Sequence, residues 1–200
     1  AAAVPGRMEV VGRAPDAVVD FAHNPDGMVQ ALRSLADARE AAGRSGRTLI
    51  VFGSAGDRDR EKRPIMGEIA ARAADVVIVT DDTPHTEDPA PIRAQILEGA
   101  RAEAARLLQA EGRTVLVEEV ADRAVAIRRA AELAAPQDGI LASLTLEHLM
   151  AAAPGAGIEV AFERLEPADL LSSDGAWLLA AEPDEIERAV HDNLRNLGLD

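Results

Sequence analysis

Short, nearly continuous apolar runs alternate along this chain with longer stretches rich in Ala, Leu and Arg. The runs at residues 17–22 (AVVDFA), 48–52 (TLIVF), 75–80 (DVVIVT), 114–118 (TVLVE) and 139–142 (GILA) predict strands. Apolar residues at successive positions, rather than at every second one, suit strands covered on both faces, as a parallel sheet requires. Residues 158–162 (IEVAF) and 176–180 (AWLLA) are two further strand candidates. The stretches 26–42, 62–74, 91–110 and 122–134 predict the intervening helices, and 184–197 predicts a last one. Asn24-Pro25 opens the first helix and Gly43 closes it, while Pro64 stands in the first turn of the second, where a missing N–H is harmless.

Strands alternating with helices imply βαβ crossovers. The expected fold is α/β: a Rossmann-like, doubly wound, mostly parallel sheet of about six strands with helices on both faces. No long Ser/Gly/Pro-rich linker and no repeat interrupts the pattern. The seam at 151–157 (AAAPGAG) sets off residues 151–200, an additional αβ segment expected to belong to the same domain as residues 13–150.

Composition narrows the function. With a net charge of −14 and a pI near 4.7, the chain repels polyanions, which argues against nucleic acid or an anionic membrane as partner. Aromatic residues are 2%, with Trp177 alone and no tyrosine, so stacking on bases is scarcely available. The absence of cysteine excludes disulfides, thiolate metal sites and cysteine nucleophiles. No apolar run approaches the ~18 residues that span a bilayer, and the opening AAAVPGRMEVV lacks the features of a secretion signal. A cytoplasmic domain is expected. His148 and His191 lie in helical contexts without partners at ligand spacing, and no metal site is expected.

In open α/β sheets, ligands bind beyond the carboxyl ends of the strands, and the unusual polar clusters fall there. The first strand ends in Asp20-Phe21-Ala22-His23-Asn24-Pro25-Asp26. An aspartate in an apolar run is costly unless its carboxylate is satisfied. Asn24 and Asp26 are also ordinary helix-capping types. The second strand ends in Gly53-Ser54-Ala55-Gly56-Asp57-Arg58-Asp59-Arg60-Glu61-Lys62-Arg63-Pro64, which carries the one lysine among 21 basic residues. This loop reads either as a phosphate-facing segment or as a solvated turn with internal ion pairs. The third strand ends in Asp81-Asp82-Thr83-Pro84-His85-Thr86-Glu87-Asp88-Pro89, whose adjacent carboxylates call for a nearby cation, an ammonium ligand or solvent.

These clusters resemble the carboxyl-terminal domain of Mur ligases, most closely the UDP-N-acetylmuramyl-tripeptide synthetase type. Gly6-Arg7-Met8-Glu9 is similar to the family's GRxE segment. Residues 19–26 (VDFAHNPD) resemble VDYAHTPD, residues 56–64 resemble GDRDxxKRP, and residues 80–89 (TDDTPHTEDP) resemble TDDNPRTEDP. The AHNP at 22–25 is also similar to that of folylpolyglutamate and cyanophycin synthetases. The resemblance covers roughly residues 5–140. It implies a domain that closes over ATP and Mg2+ held mainly by a central ATPase domain, which residues 1–12 would join. An acyl phosphate formed on a UDP-sugar-peptide carboxylate is then attacked by the amine of an incoming amino acid, in cell-wall precursor synthesis. On this resemblance Arg7, Asp20, His23 and Asn24 face the nucleotide, Asp82, Thr83 and His85 face the amino acid, and Lys62 and Arg63 are candidate loop or phosphate contacts.

Two departures stand beside it. The family's DNPR is Asp82-Thr83-Pro84-His85 here, so the arginine that grips the amino acid's carboxylate is a histidine, and a GKGHE motif is absent near 139–148. The chain also contains no GxxxxGK[ST], so it cannot assemble an activating centre unaided. The resemblance therefore implies an acid–amino-acid ligase whose catalysis needs other domains. A non-catalytic binding or regulatory module and a folylpolyglutamate- or cyanophycin-synthetase-like ligase domain remain alternatives. A dinucleotide-dependent oxidoreductase is disfavoured, because no GxGxxG follows the first strand.

Overall fold

The computed structural model describes residues 6–143. The expected strands at 158–162 and 176–180, the helix at 184–197 and the seam at 151–157 lie outside the described residues, as do Trp177, His148 and His191.

Six strands and four helices follow one another as β1 (Glu9–Arg13), β2 (Asp16–Asp20), α1 (Pro25–Ala41), β3 (Thr48–Phe52), α2 (Lys62–Ala73), β4 (Val76–Val79), α3 (Pro89–Glu111), β5 (Leu116–Glu119), α4 (Arg123–Leu133) and β6 (Gly139–Ser143). They form one sheet in the order β1-β2-β6-β3-β4-β5. Every pairing is parallel except β1 with β2, so the mostly parallel α/β sheet expected from the sequence is what forms. The strand β1 has no counterpart among the apolar runs. It is half-exposed at the sheet's edge and carries a bulge between Val10 and Gly12, so it shows neither a continuous run nor a clean alternation.

The central strands are apolar on both sides because both sides are covered. Val18, Ile50, Phe52, Val77, Val79 and Leu141 point into a core shared with α1, α2 and α3. Their neighbours Val19, Leu49, Val51, Val76, Ile78 and Ile140 point into a second core that includes Ala126, Ile127 and Ala130 of α4. Helices thus lie on both faces, three against one among the described residues.

This order fixes where the loops go. The chain leaves β2, skips a position to β3, and steps outward to β4 and β5. It then returns through α4 to place β6 between β2 and β3. Because β2, β6, β3 and β4 run in parallel, the segments that follow β2, β3 and β4 all emerge at one edge.

Candidate functional site

At the end of β2, Asp20 is buried and each of its carboxylate oxygens accepts one bond from backbone. Oδ1 accepts from the Ala22 amide at 2.8 Å and Oδ2 from the Met8 amide at 2.9 Å. The acid inside an apolar run therefore has a structural partner: it anchors the segment before β1 to the tip of β2. Arg7, in that segment, lies with its guanidinium 5.5 Å from the Phe21 ring centroid, within cation–π range. Each Asp20 oxygen keeps a second lone pair.

The turn into α1 is built by Asn24, whose Oδ1 accepts from the Gly27 amide at 2.8 Å and caps the helix. The capping role expected of Asn24 is realised by that bond. The His23 ring Nδ1 lies 2.8 Å from the Phe21 carbonyl, and the His23 carbonyl accepts a 2.9 Å bond from Lys62 Nζ. Lys62 thereby spans from the start of α2 to the β2–α1 turn. Partial burial lowers its pKa from the ordinary lysine value, against the opposing charges of Asp59 and Asp82.

The loops after β3 and β4 are knitted into one body. The Gly56 amide donates to the Thr83 carbonyl at 2.9 Å, and a Cβ at Gly56 would lie 1.8 Å from the Pro84 carbonyl oxygen, so only glycine fits. Asp57 accepts from the Thr86 hydroxyl at 2.8 Å and from the Thr86 amide at 3.1 Å, and these bonds hold its carboxyl below the usual range. Glu87 reaches back to accept from the Asp57 amide at 2.7 Å, from Arg63 at 2.8 Å and from Arg60 at 3.0 Å. The Arg63 hydrogen bond, followed by that of the Asp57 amide, pulls the Glu87 pKa down to about 2.

Arg63 is fully buried, with Nη1 also donating to Gln95 Oε1 at 2.9 Å. Its guanidinium is committed to the loop clasp. Of the two basic residues named as loop or phosphate contacts, Arg63 takes the loop role and Lys62 stays at the rim. The sequence gives no hint of the pairing, because Arg63 opens α2 and Glu87 lies in the loop after β4, 24 residues on.

The clasp presents the segment from Asp82 to His85. Asp82 is buried, its Oδ1 accepts from the Thr83 amide at 2.7 Å, and its Oδ2 lies 3.7 Å from Arg123. His85 is exposed in the left-handed region with φ of 50°. Asp81 pairs with Arg93, which also donates to Glu119 at 2.8 Å. Arg123 was not singled out by sequence reading. It follows a helix-capping aspartate and looks like a solvated first-turn residue, yet it is largely buried beside Asp82. Ser54, at the tip of β3, is buried with its hydroxyl unpartnered among the described residues.

The three loops thus share one edge: Lys62 ties the first to the second, and Gly56, Asp57 and Glu87 tie the second to the third. Carboxylates, an ammonium and a guanidinium meet there against backbone, a set able to bind phosphate, a diol or an ammonium-bearing small molecule. Among the described residues no group of three His, Asp or Glu is placed to hold a metal ion, and no helix is long and apolar enough to cross a membrane.

Known proteins place this arrangement. The chain is 48% identical over 141 residues to UDP-N-acetylmuramoyl-L-alanyl-D-glutamate–2,6-diaminopimelate ligase of Corynebacterium efficiens, covering 70% of the chain and 25% of that protein. The Synechococcus elongatus enzyme of the same name is 50% identical over 141 residues, with 69% and 25% covered. The chain therefore spans about a quarter of the length of these relatives. A solved structure of a ligase of this name superposes with a TM-score of 0.57 at 35% identity, over 74% of this chain and 28% of that one. A bifunctional folylpolyglutamate synthase/dihydrofolate synthase from Yersinia pestis, solved with AMPPNP and Mn, shares the fold with a TM-score of 0.54 at 23% identity, over 76% and 32% of the chains. The family model for the Mur ligase glutamate ligase domain matches residues 6–143, the same span that carries the sheet and its three joined loops, and the chain belongs to the Mur ligase family.

Proposed function

We propose that the chain serves as the carboxyl-terminal domain of an ATP-dependent amide ligase that extends a cell-wall precursor by one amino acid. The observation that carries this reading is the single edge at which the four motif segments meet, joined by Asp20, Lys62, Asp57 and Glu87. A domain that must close over a nucleotide as one body needs its loops to move together, and this clasp supplies that.

In such a ligase a carboxylate oxygen of the UDP-sugar-peptide attacks the γ-phosphorus of ATP and ADP departs. The amino acid's amine, having lost a proton, then attacks the acyl carbon, and phosphate leaves as the amide forms. The residues of this chain would bind and orient. Arg7 suits a phosphate, the remaining lone pairs of Asp20 suit ribose hydroxyls, and His23 and Asn24 border the phosphates. Lys62 is the cation at that rim. Asp82, a carboxylate, suits the ammonium of the incoming amino acid, with Thr83 and His85 beside it.

The described residues fit the outer part of a nucleotide site and not a metal site, so Mg2+ and the triphosphate cradle belong to the rest of the ligase. The relatives' names specify 2,6-diaminopimelate. His85 lacks the bidentate fork with which an arginine takes a carboxylate, so the grip on a carboxylate of the added amino acid is weaker at this position.

The test is ATP turnover by the complete polypeptide that the gene encodes, given a UDP-N-acetylmuramyl dipeptide and a panel of amino acids. Release of ADP that depends on one amino acid and yields a new amide is expected. The 200-residue chain alone is expected to give none. Turnover by the short chain, or no amino-acid-dependent turnover by a complete polypeptide with an intact P-loop, overturns the reading and favours a binding module.

A further inference from the structure

Arg123 is a residue at this edge that the proposed reaction leaves unused, and its placement is unusual. Asp122 caps α4 by accepting from the Val125 amide at 2.9 Å, which fixes Arg123 at the first helical position. From there its side chain crosses the carboxyl end of the sheet. Nε and Nη2 donate to the Asp81 carbonyl at 2.9 and 2.7 Å, and Nη1 donates to the Ser143 carbonyl at 2.5 Å. Those carbonyls belong to the ends of β4 and β6, the two strands that flank β3. The guanidinium therefore lies across the tip of β3, where the residue is Gly53. A Cβ at Gly53 would come within 3.1 Å of Arg123 Nη2 and 2.5 Å of the Thr80 carbonyl oxygen.

A buried guanidinium bonded to neutral carbonyls is costly unless its charge is used. The carboxylate at hand is Asp82, with Oδ2 at 3.7 Å, beyond hydrogen-bond range yet close enough for a strong field in a largely buried setting. Burial lowers the Arg123 pKa from its ordinary value, against the attraction of Asp82 and then Asp81, and an arginine still stays charged. The other charge that acts on it is Asp81, which is paired with Arg93, and Asp82 is felt as well by Lys62 at the start of α2.

We infer that Arg123 is a positioning residue for Asp82. It pins the Asp81 carbonyl just ahead of Asp82 and aims the Asp82 carboxylate at the incoming amino acid's ammonium without touching that amino acid. The inference rests on the proposed placing of Asp82 beside the amino acid. A purely structural strut would affect every substrate and the fold alike, whereas a residue acting through Asp82 affects one substrate.

The experiment has two arms. In the complete ligase, Arg123→Lys keeps the charge and loses the planar fork, and Arg123→Gln loses both. Each should raise KM for the amino acid about tenfold or more. KM for ATP and kcat should stay within about threefold of the parent. In an Asp82→Ala background, adding Arg123→Lys should change KM no further. Equal rises in both KM values, a fall confined to kcat, or effects that add across the double variant each overturn the inference.

The second arm uses the 200-residue chain and needs no activity. In 1H–15N spectra, Arg123→Lys should displace the Asp82 and Thr83 amide resonances and leave those of Thr48 and Gly139, at the other end of the sheet, in place. An unmoved Thr83 resonance overturns the inference even if the ligase reading holds. A complete polypeptide without ligase activity sinks the ligase reading, and this arm then decides for or against Arg123's hold on Asp82. Should Arg123→Gln lose its cooperative melt, Arg123→Lys carries both arms.

Discussion

The two ends of the one sheet both carry charged side chains and differ in how far those charges are paired with one another. At the amino end, carboxylates and guanidinia cancel at the strand starts. Asp138 accepts from the Arg47 amide, from Arg47 Nε and Nη2, and from the Ala135 amide, all at 2.8–3.1 Å. Asp16 pairs with Arg44 at 2.5 Å, and Asp75 accepts from the Thr48 amide at 2.9 Å with Arg113 at 3.7 Å. At the carboxyl end the cations rest on carbonyls instead: Lys62 on His23, Arg123 on Asp81 and Ser143. Asp20 rests on amides. Bonds to neutral backbone hold a charge in place without cancelling it, so that charge can still act on a ligand. The Arg63–Glu87 clasp and the pairs of Arg93 with Asp81 and Glu119 are exceptions that behave like the amino end, and they hold the loops.

The sharpest way to break this contrast is to remove a closed pair. Asp138 is 2% exposed at its side chain, and Asp138→Ala would strand two backbone amides and the Arg47 charge. A loss of about 3 kcal/mol is expected, since each orphaned buried group costs roughly 1–3 kcal/mol. Urea denaturation measures it. The same variant, below its melting point, should leave the carboxyl-edge amides of Asp82 and Thr83 unmoved in an NMR spectrum. A shift there would mean the two ends are not separate.

Acid probes the clasp next. Burial raises the Asp138 pKa, but the Ala135 and Arg47 amides and the Arg47 guanidinium outweigh it, and the net direction is down. Glu87 sits at about 2 against an ordinary 4.5, and Glu103, held first by Arg106 and then by Arg72, also sits at about 2. For groups lowered on folding, the contribution is complete above pH 4.5 and drains away as the pH falls toward 2. The melting temperature should therefore drop across that window. Glu87→Gln should make the drop shallower while leaving the part due to Glu103 on α3, and an unchanged acid profile would refute the clasp.

Smaller again is Lys62→Met. The bond to the His23 carbonyl is one hydrogen bond at a partly exposed site, worth about 1 kcal/mol. The loss in the complete ligase should be larger in KM for ATP than in melting temperature, because a rim cation is kept for a ligand. If stability falls and KM does not, Lys62 belongs with the amino-end pairs.

How much of this was legible beforehand follows from which forces write themselves into local sequence. The runs at 48–52 and 139–142 announce strands because burial on both faces demands apolar residues in succession, and the structure has β3 and β6 there. The helix at 25–41 announces itself through Asn24, Pro25 and Gly43. By contrast β1 is half-solvated and bulged, so no period marks it. At the edge, polar residues gathered after three strand ends were enough to locate the loops. Their roles were not readable: Asp20 and Arg63 are held by groups brought close only by folding, namely the Met8 amide and Glu87. Arg123 was hidden for the same reason, since its partners are carbonyls and a carbonyl leaves no trace in the sequence.

His85 offers the finest test, because it isolates recognition from stability. Its φ of 50° puts a residue with a Cβ where glycine or asparagine is at ease, at a cost of about 1 kcal/mol for most L residues. Arginine in its place meets the same backbone cost, so His85→Arg should leave the unfolding free energy within about 0.5 kcal/mol, as for an exposed substitution. The guanidinium fork should nonetheless lower KM for an amino acid that carries a second carboxylate. His85→Gly should instead stabilise the chain by up to about 1 kcal/mol by relieving the left-handed strain, and it should weaken discrimination among amino acids. Melting curves and a panel of amino acids read the two effects separately. If His85→Arg alters stability as much as it alters substrate choice, the loop tip is part of the frame, and the division between a cancelled end and a poised end fails at its outermost residue.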